Sequence, residues 1–598
     1  MIKYNHSVSY VMDLMSAARG ELPADLVIKN GNLINVDTSE VYKADIAIKD
    51  SFIIAVGNVD YCLGKETRII DASNKYITPG FIESHIHVAG SHLSMPELAK
   101  VLIAHGTTTI STDFSHIGIV GGIDSIKFFL NTIKNTPLKT LFVLPTMSYF
   151  QNRQLGFPPT PAAPKIEDMR KMLDWPECIG IGETTYDALK DDVDLIELFN
   201  FAKSKNKVIT GTGTGAKGNN LNAYLLTGSA SDHEMKSAQE TVDKARLGMY
   251  MHIREGSATS DLNETIKALT EYKINPRHFI FCTDEEEPSR LNDIGNIDNK
   301  MQLAVKKGLD SVTAIQMATI NAAEFFRISD FLGSISPGKI ADIVLINSLD
   351  EFRVSSVIID GKLVFNEGKH LWQSNPIKYP SYMTESIKLP RDIQIEDIQI
   401  KTTEKESGSV NVIQIEEGNL LTKRFITRMQ VKKGYIESDV KQDILKIVYI
   451  DRHTGSGKIG LGLINGFGLK KGAIAESFTA LSENLIVVGV DDESICFAVN
   501  KLKEVGGGLI AVDGRQILGL VELPILGLIS KCQLDEVVLS KKNLLNAIHK
   551  LGCELRSPFT TLGFMGIMPL GRIKMCDQGL FDVELKKLIP LIESEEND

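Results

Sequence analysis

Long apolar runs are missing from this chain. Its most apolar stretch, Ile517 to Ile529, is broken by Glu522 and Pro524 and is shorter than the roughly 20 residues of a membrane-spanning helix. Residues Met1 to Gly20 mix His, Asp, Ser and Arg with apolar side chains. No small-residue cleavage site follows an apolar core there, so no signal peptide is expected. Clustered positive charge is also missing. Lys and Arg number 65 against 76 Asp and Glu, a formal net charge of −11. Without a basic run there is no face to meet a phosphate backbone, which excludes a broad nucleic-acid-binding surface. Paired cysteine spacing is the third absence: Cys62, Cys178, Cys282, Cys496, Cys532, Cys553 and Cys576 are scattered. An odd, dispersed set reads as reduced thiols in a cytosol and not as a disulfide frame or a zinc ribbon. The expectation is a soluble, cytoplasmic protein with a small-molecule substrate and neither nucleic acid nor membrane as partner. Composition leaves the oligomeric state open, a homo-oligomer included.

What is present is a chain of 598 residues, too long for one hydrophobic core. From 25 to 80 short alternating segments (Leu26 to Ile28, Ala44 to Ile48, Phe52 to Val56) are divided by turn residues at Asn30-Gly31 and Asp50-Ser51, the texture of antiparallel strands. The same texture returns at Ala341 to Ile346 and Val357 to Val364. We therefore expect residues 1–80 and 331–370 to make an N-terminal segment and a composite β-sandwich. Between them, over 81–330, apolar strand-like runs alternate with helix-like ones (Met95 to His105, Asp194 to Lys205, Glu234 to Leu247, Met301 to Gly308). That rhythm predicts an α/β fold of the (β/α)₈ barrel type, with chemistry at the C-terminal ends of its strands. Residues 371–399, with Pro376, Pro380 and Pro390, read as a linker, and 400–598 as a separate α/β or α+β domain.

One local motif stands out: Thr78-Pro-Gly-Phe-Ile-Glu-Ser-His85-Ile-His87. Alternate residues of a strand face the same way, so His85 and His87 can present both imidazoles to one ion. A bare H-x-H pair also arises by chance as a surface or core pair. Further candidates fall at the ends of later strands: Glu183 after Gly180-Ile-Gly182, His233 within Ser231-Asp-His-Glu234, and Asp284 after the run His278 to Thr283. Each has a bland alternative, a solvated loop carboxylate or a helix cap. Their shared placement at strand ends favours one metal site.

These residues resemble the amidohydrolase superfamily, and longer stretches resemble adenine deaminase of the bacterial type. The stretches are His105-Gly-Thr-Thr-Thr, Leu221-Asn-Ala-Tyr224, Ser231-Asp-His-Glu234, Gly248 to Ser257, Cys282-Thr-Asp284 and Thr313 to Glu324. In the tail they are Ile459-Gly-Leu-Gly, Gly466 to Ile474 and Gly506 to Ile510. The resemblance runs in order from about residue 25 to 590. It implies hydrolysis of adenine to hypoxanthine and ammonia by a metal-activated hydroxide. It also implies His85, His87, Glu183, His233 and Asp284 as metal ligands, Glu183 bridging two ions, and Asp284 as both ligand and base. Manganese is the metal the resemblance favours, while the ligand types also suit iron or zinc.

The chain departs from the family where polar site residues are expected. Ala89 stands for a Glu after the H-x-H, and Asp113-Phe-Ser-His116 replaces an Asp-Pro-His-Glu run. Gly211-Thr-Gly-Thr-Gly215 replaces a Gly-His-Ala-Pro-Gly loop, which puts Thr212 where the family has a second-metal His. Thr283-Asp-Glu-Glu-Glu287 stands for Thr-Asp-Asp-Arg-His, Gly295-Asn-Ile-Asp298 for Gly-His-Ile-Asp, and Ala480-Leu-Ser-Glu483 for a tail His-Asp-Ser-His. One well-bound ion is therefore expected on His85, His87, Glu183 and Asp284, with a second site weakened by Thr212. The alternatives are a mononuclear amidohydrolase acting on another cyclic amidine or amide, and a catalytically silent ligand-binding relative. Arg254 and Glu255 read equally as substrate-binding residues or as an internal ion pair, and His252 as a core histidine. The Gly-rich run Thr210 to Gly218 lacks the full phosphate-loop pattern and reads as a remnant of the metal loop.

Overall fold

The computed structural model describes residues 7–150, 153, 157–416, 419–567 and 571–593; residues 1–6, the head of the Met1 to Gly20 segment, lie outside them. The middle of the chain supplies eight short strands: β1 (Phe81–Glu83), β2 (Thr107–Thr112), β3 (Lys139–Leu144), β4 (Cys178–Ile181), β5 (Val208–Ile209), β6 (Ser231–Asp232), β7 (Tyr250–Arg254) and β8 (Phe279–Cys282). All six residues of β2 are buried, as a parallel strand covered on both faces requires. β1 to β5 are parallel neighbours in order, and so are β6 to β8. Two seams close the ring. Ala230 N donates to Ile209 O at 3.0 Å, and Thr283 N and Asp284 N donate to His85 O at 3.2 and 2.9 Å. The outcome is a (β/α)₈ barrel whose strands all end at one mouth.

Helices such as Met95–Ala104, Val193–Ser204 and Ala238–Arg246 connect the strands. The helix that the sequence pattern starts at Glu234 begins only at Ala238, because Ser237 caps it by accepting from Glu240 N. The residues before it are held extended by Asp232. One of its oxygens accepts from Gly213 N (2.7 Å) and Glu234 N (2.9 Å), and the other from Lys244 Nζ (2.5 Å). His233 thus sits at the barrel mouth and caps no helix.

Chain from both sides of the barrel meets in one seven-stranded sheet, where Ile343–Ile346 runs antiparallel to Tyr76–Pro79 and to Val354–Ile359. A four-stranded sheet packs on it through Ile28, Leu33, Ile46, Ile77, Ile343 and Ile358. Asn30 (φ 66°) and Asp50 (φ 51°) make the turns in the left-handed region that Asn and Asp tolerate. The C-terminal unit is a ten-stranded sheet. Along its strand Ile444–Ile450, Ile447 and Tyr449 join the core shared with the barrel, while Val448 and Ile450 face helix Asp492–Val505. That helix is capped by Asp491 and stops at Gly506, at φ 85°. Residues 371–399 carry little regular structure, yet Leu389, Ile393 and Ile398 are buried in the same cluster as this helix.

At the end of the barrel away from the mouth, Lys139 at the start of β3 pairs with Asp342 (2.8 and 2.9 Å) and Asp360 (2.9 Å), tying the barrel to the flanking sheet. Asp342 is 3% exposed. Removing only the cation strands a buried carboxylate, which costs about 3 kcal/mol. Lys139→Met is expected to lower the urea midpoint accordingly, and Asp342→Asn added to it should recover part of the loss.

Candidate active site

The barrel mouth gathers five of the residues singled out from the sequence. His85 and His87 extend beyond β1 with ring centroids 4.7 Å apart, and His233 beyond β6 stacks on His85 at 4.6 Å. Glu183, beyond β4, reaches between them. Its Oε1 lies 2.6 Å from His85 Nε2 and 3.0 Å from His87 Nε2, and its Oε2 lies 3.7 Å from His233 Nε2. Asp284, beyond β8, brings Oδ1 to 3.3 Å from His87 Nε2 and 3.6 Å from His85 Nε2. All five are buried or nearly so.

Backbone and neighbours fix these positions. Asp284 adopts φ 70°, a left-handed conformation that turns its side chain back toward β1. Its oxygen Oδ2 accepts from Arg254 Nη1 at 2.8 Å. Arg254 is 1% exposed and is itself held by Glu234 (2.5 Å) and Asp261 (2.7 Å). The residue after Glu183 is tied by Tyr224, whose hydroxyl donates to Thr184 O at 2.6 Å, and Thr146 Oγ1 donates to Glu183 O at 2.6 Å. The intact Leu221 to Tyr224 motif thereby aims the carboxylate. Fully buried Glu83 locks the β8–β1 seam by accepting from His85 N (3.0 Å), Thr283 N (3.1 Å) and Asn296 Nδ2 (3.1 Å).

The charges explain what the cluster attracts. Burial opposes protonation of His85, but the charge of Glu183 and that of nearby Asp284 outweigh it and push the imidazole up to about 10. His87 is raised for the same reason, with Asp113 adding to Glu183. Burial opposes ionisation of Glu183 and Asp284, yet the histidines, and Arg254 for Asp284, hold both carboxyls well below their ordinary range. Burial leaves His233 lowered, a neutral imidazole with a free lone pair. His85 Nε2 and Glu183 Oε1 face each other at 2.6 Å without the alignment of a hydrogen bond, and neither has a hydrogen-bond partner among the described residues. Glu183 and Asp284 draw positive charge to this point, and a cation bound between His85 Nε2 and Glu183 Oε1 would supply it in place of the imidazole proton. His85, Glu183, His233 and Asp284 each offer a ligand atom within 4.8 Å of the others, and His87 Nε2 reaches Glu183 Oε1 and Asp284 Oδ1 at 3.0 and 3.3 Å; these are ligand types that zinc, iron and manganese accept.

The remaining singled-out residues lie around this cluster. Thr212 is buried beyond β5 with its hydroxyl 3.0 Å from that of Thr214. Glu255 turns aside, accepting from Ser260 Oγ at 2.5 Å with Arg290 at 3.4 Å, and it makes no pair with Arg254. His252 contacts Ser84 Oγ at 3.1 Å and rests on Phe325.

Several residues of the mouth have no role in the sequence reading. Asp113 lies 3.5 Å from His87 Nδ1. His116 bridges Glu285 (3.1 Å) and Glu483 (2.5 Å), joining the loops after β2 and β8 to the C-terminal sheet unit. Burial opposes its charge, but Glu483 and Glu285 carry it up to about 10. Asp113 and His116 directly follow β2, so the strand-end rule that found Glu183 and Asp284 applies equally to them. Glu483 carries no such local signal.

A model of the amidohydrolase family matches residues 76–364, and a model of the adenine deaminase C-terminal domain matches residues 419–587. The chain is 36% identical over 586 residues to an adenine deaminase of Clostridium botulinum (strain 657 / Type Ba4), covering 97% of both chains. It is 34% identical over 593 residues to an adenine deaminase of Moorella thermoacetica, covering 97% of this chain and 98% of that one. To adenine deaminase 1 of Desulfotalea psychrophila it is 35% identical over 576 residues, covering 95% and 96%.

Arg254 holds Asp284 in place from behind, and partners of this kind are worth roughly 10- to 100-fold in metal affinity or activity. Arg254→Lys, whose compact ammonium lacks the planar fork that meets the three carboxylates from separate nitrogens, should weaken metal binding by that factor in competition with a chelator. Ser260→Ala, which touches only Glu255, should leave it unchanged.

Proposed function

Because the chain belongs to the adenine deaminase family of amidohydrolases, we propose that it hydrolyses adenine to hypoxanthine and ammonia at the His85–Asp284 cluster. The observation that carries the proposal is the convergence of unpartnered His85 Nε2 and Glu183 Oε1 with His87 and Asp284 at the barrel mouth. His85, His87, Glu183 and Asp284 would hold one divalent ion. His233 and Glu183 alone would hold a second only weakly, since the Thr212 hydroxyl is a poor substitute for an imidazole. Manganese is our expected metal. When bound, the ion lowers the pKa of a coordinated water and supplies a nucleophile near neutral pH.

The chain's own groups do the rest. Arg254 keeps Asp284 ionised, so its cluster-facing Oδ1 is ready to take a proton from the attacking water. The same oxygen then delivers that proton to the departing amine, which leaves as ammonia, while the water's second proton passes to N1 and leaves a C6 carbonyl beside N1–H. Glu183 and the two β1 histidines orient the water toward C6. Among the described residues no helix is long and apolar enough to cross a membrane, and all seven cysteines are free. Our reading is that the enzyme works in a reducing cytoplasm, where scattered thiols stay free.

The test is ammonia release from adenine by manganese-loaded protein purified without chelator. Turnover is expected, with a loss of at least about 100-fold in Asp284→Asn, the usual scale of acid–base assistance. Ammonia release unaffected by that variant contradicts the assigned role of Asp284. Absence of release with metal bound contradicts adenine as substrate and points to another cyclic amidine or amide. Thr212→His is expected to add a second tightly held ion.

A further inference from the structure

The cleft between the barrel mouth and the C-terminal sheet contains a buried acid that the chemistry above leaves unused. Glu476 ends strand Ala473–Glu476 and is paired through its backbone to Ile486 on one side and Leu509 on the other, so its position is rigid. It is 1% exposed, and its Oε1 has no hydrogen-bond partner among the described residues. The cleft it lines has Phe478, Phe559 and Phe564 as apolar walls. It is also lined by Gly90, which closely follows His87, and by Glu285, the neighbour of Asp284. The acid therefore lines the same cleft as residues that closely follow His87 and Asp284 in the chain. Lys541, the cation acting on Glu476, is paired with Glu287 at 3.4 Å. Burial with no ion pair of its own raises the carboxyl well above its ordinary range, against Lys541 and reinforced by Glu483.

A neutral carboxyl offers one donor and one acceptor side by side. The complementary partner is an N–C–N–H edge, acceptor beside donor. In adenine N3 lies para to C6, and N9–H adjoins it across C4. A base that turns C6 toward the cluster thus turns its N3–N9 edge away from it, and Glu476 lines the cleft beside the loops that follow His87 and Asp284. We propose that Glu476 reads the N3–N9 edge of a free purine base and so excludes purines substituted at N9. This inference rests on the deaminase reading for the orientation of the base. A ribose or methyl group at N9 removes the donor and places bulk where the carboxyl sits, and leaving a buried polar group unmatched is what gives such sites their discrimination.

The test uses the full manganese-loaded chain and calorimetric binding of purine, which has no amino group to lose, and of 9-methylpurine. The wild type should bind purine at least about tenfold more tightly than 9-methylpurine, the scale of one well-made buried hydrogen bond. Glu476→Gln, whose amide keeps a donor beside an acceptor, should retain that preference. Glu476→Leu, which keeps the bulk and loses both, should abolish it, with near-ultraviolet circular dichroism checking that the fold is kept. Equal binding of the two purines by the wild type, or an unchanged preference in Glu476→Leu, overturns the proposal whether or not adenine is deaminated. The expected preference without ammonia release from adenine would support the edge-reading role and defeat the deaminase reading alone.

Discussion

Two carboxylates buried side by side dictate this structure. Glu183 and Asp284 lie beside three imidazoles in a site closed from bulk water, where an uncompensated charge is prohibitively costly. The compensation comes from two directions. Arg254 supplies a fixed positive charge behind Asp284, itself balanced by Glu234 and Asp261. In front, His85 Nε2 and Glu183 Oε1 are left facing each other, a demand for a cation at the one point they share. Much of the surrounding fold serves this arrangement. The Glu83 seam closes the ring so that His85 and Asp284 meet, and Tyr224 and Thr146 hold the chain around Glu183.

The positions where the chain departs from family motifs are packed and partnered. The family runs Asp-Pro-His-Glu and His-Asp-Ser-His end in Glu and His; here they end in His116 and Glu483, which pair at 2.5 Å. The two residue types have changed places and an ion pair joins barrel to C-terminal sheet. Beside Ala89, Gly90 leaves room for Glu285, since a Cβ there would come within 1.8 Å of Glu285 Oε2. The Thr212 hydroxyl meets Thr214. Each of these substituted residues is accommodated by its neighbours.

The barrel, the flanking sheet and the strand-end acids were legible because each has a local signature. Parallel strands buried on both faces read as unbroken apolar or β-branched runs, and alternation along the chain that continues β1 puts two imidazoles on one side. Other features depend on contacts distant in sequence. Nothing near Arg254 tells which of four nearby acids it serves; the fold gives it Glu234, Asp261 and Asp284 and sends Glu255 to Ser260 and Arg290. The delayed start of the helix at Ala238 follows from Lys244 and Gly213 holding Asp232, a tertiary constraint that overrides local propensity. Glu483 and Glu476 sit in the C-terminal unit, and only domain packing brings them over the mouth.

The central claim is that one cation belongs where His85, His87, Glu183 and Asp284 converge. Anomalous scattering from a crystal of manganese-loaded protein, collected at the manganese edge, tests it directly. A single strong peak within bonding distance of those four side chains, with little or none between Glu183 and His233, is the predicted result. Two peaks of equal occupancy, or a principal peak beside His116 and Glu285, would contradict it.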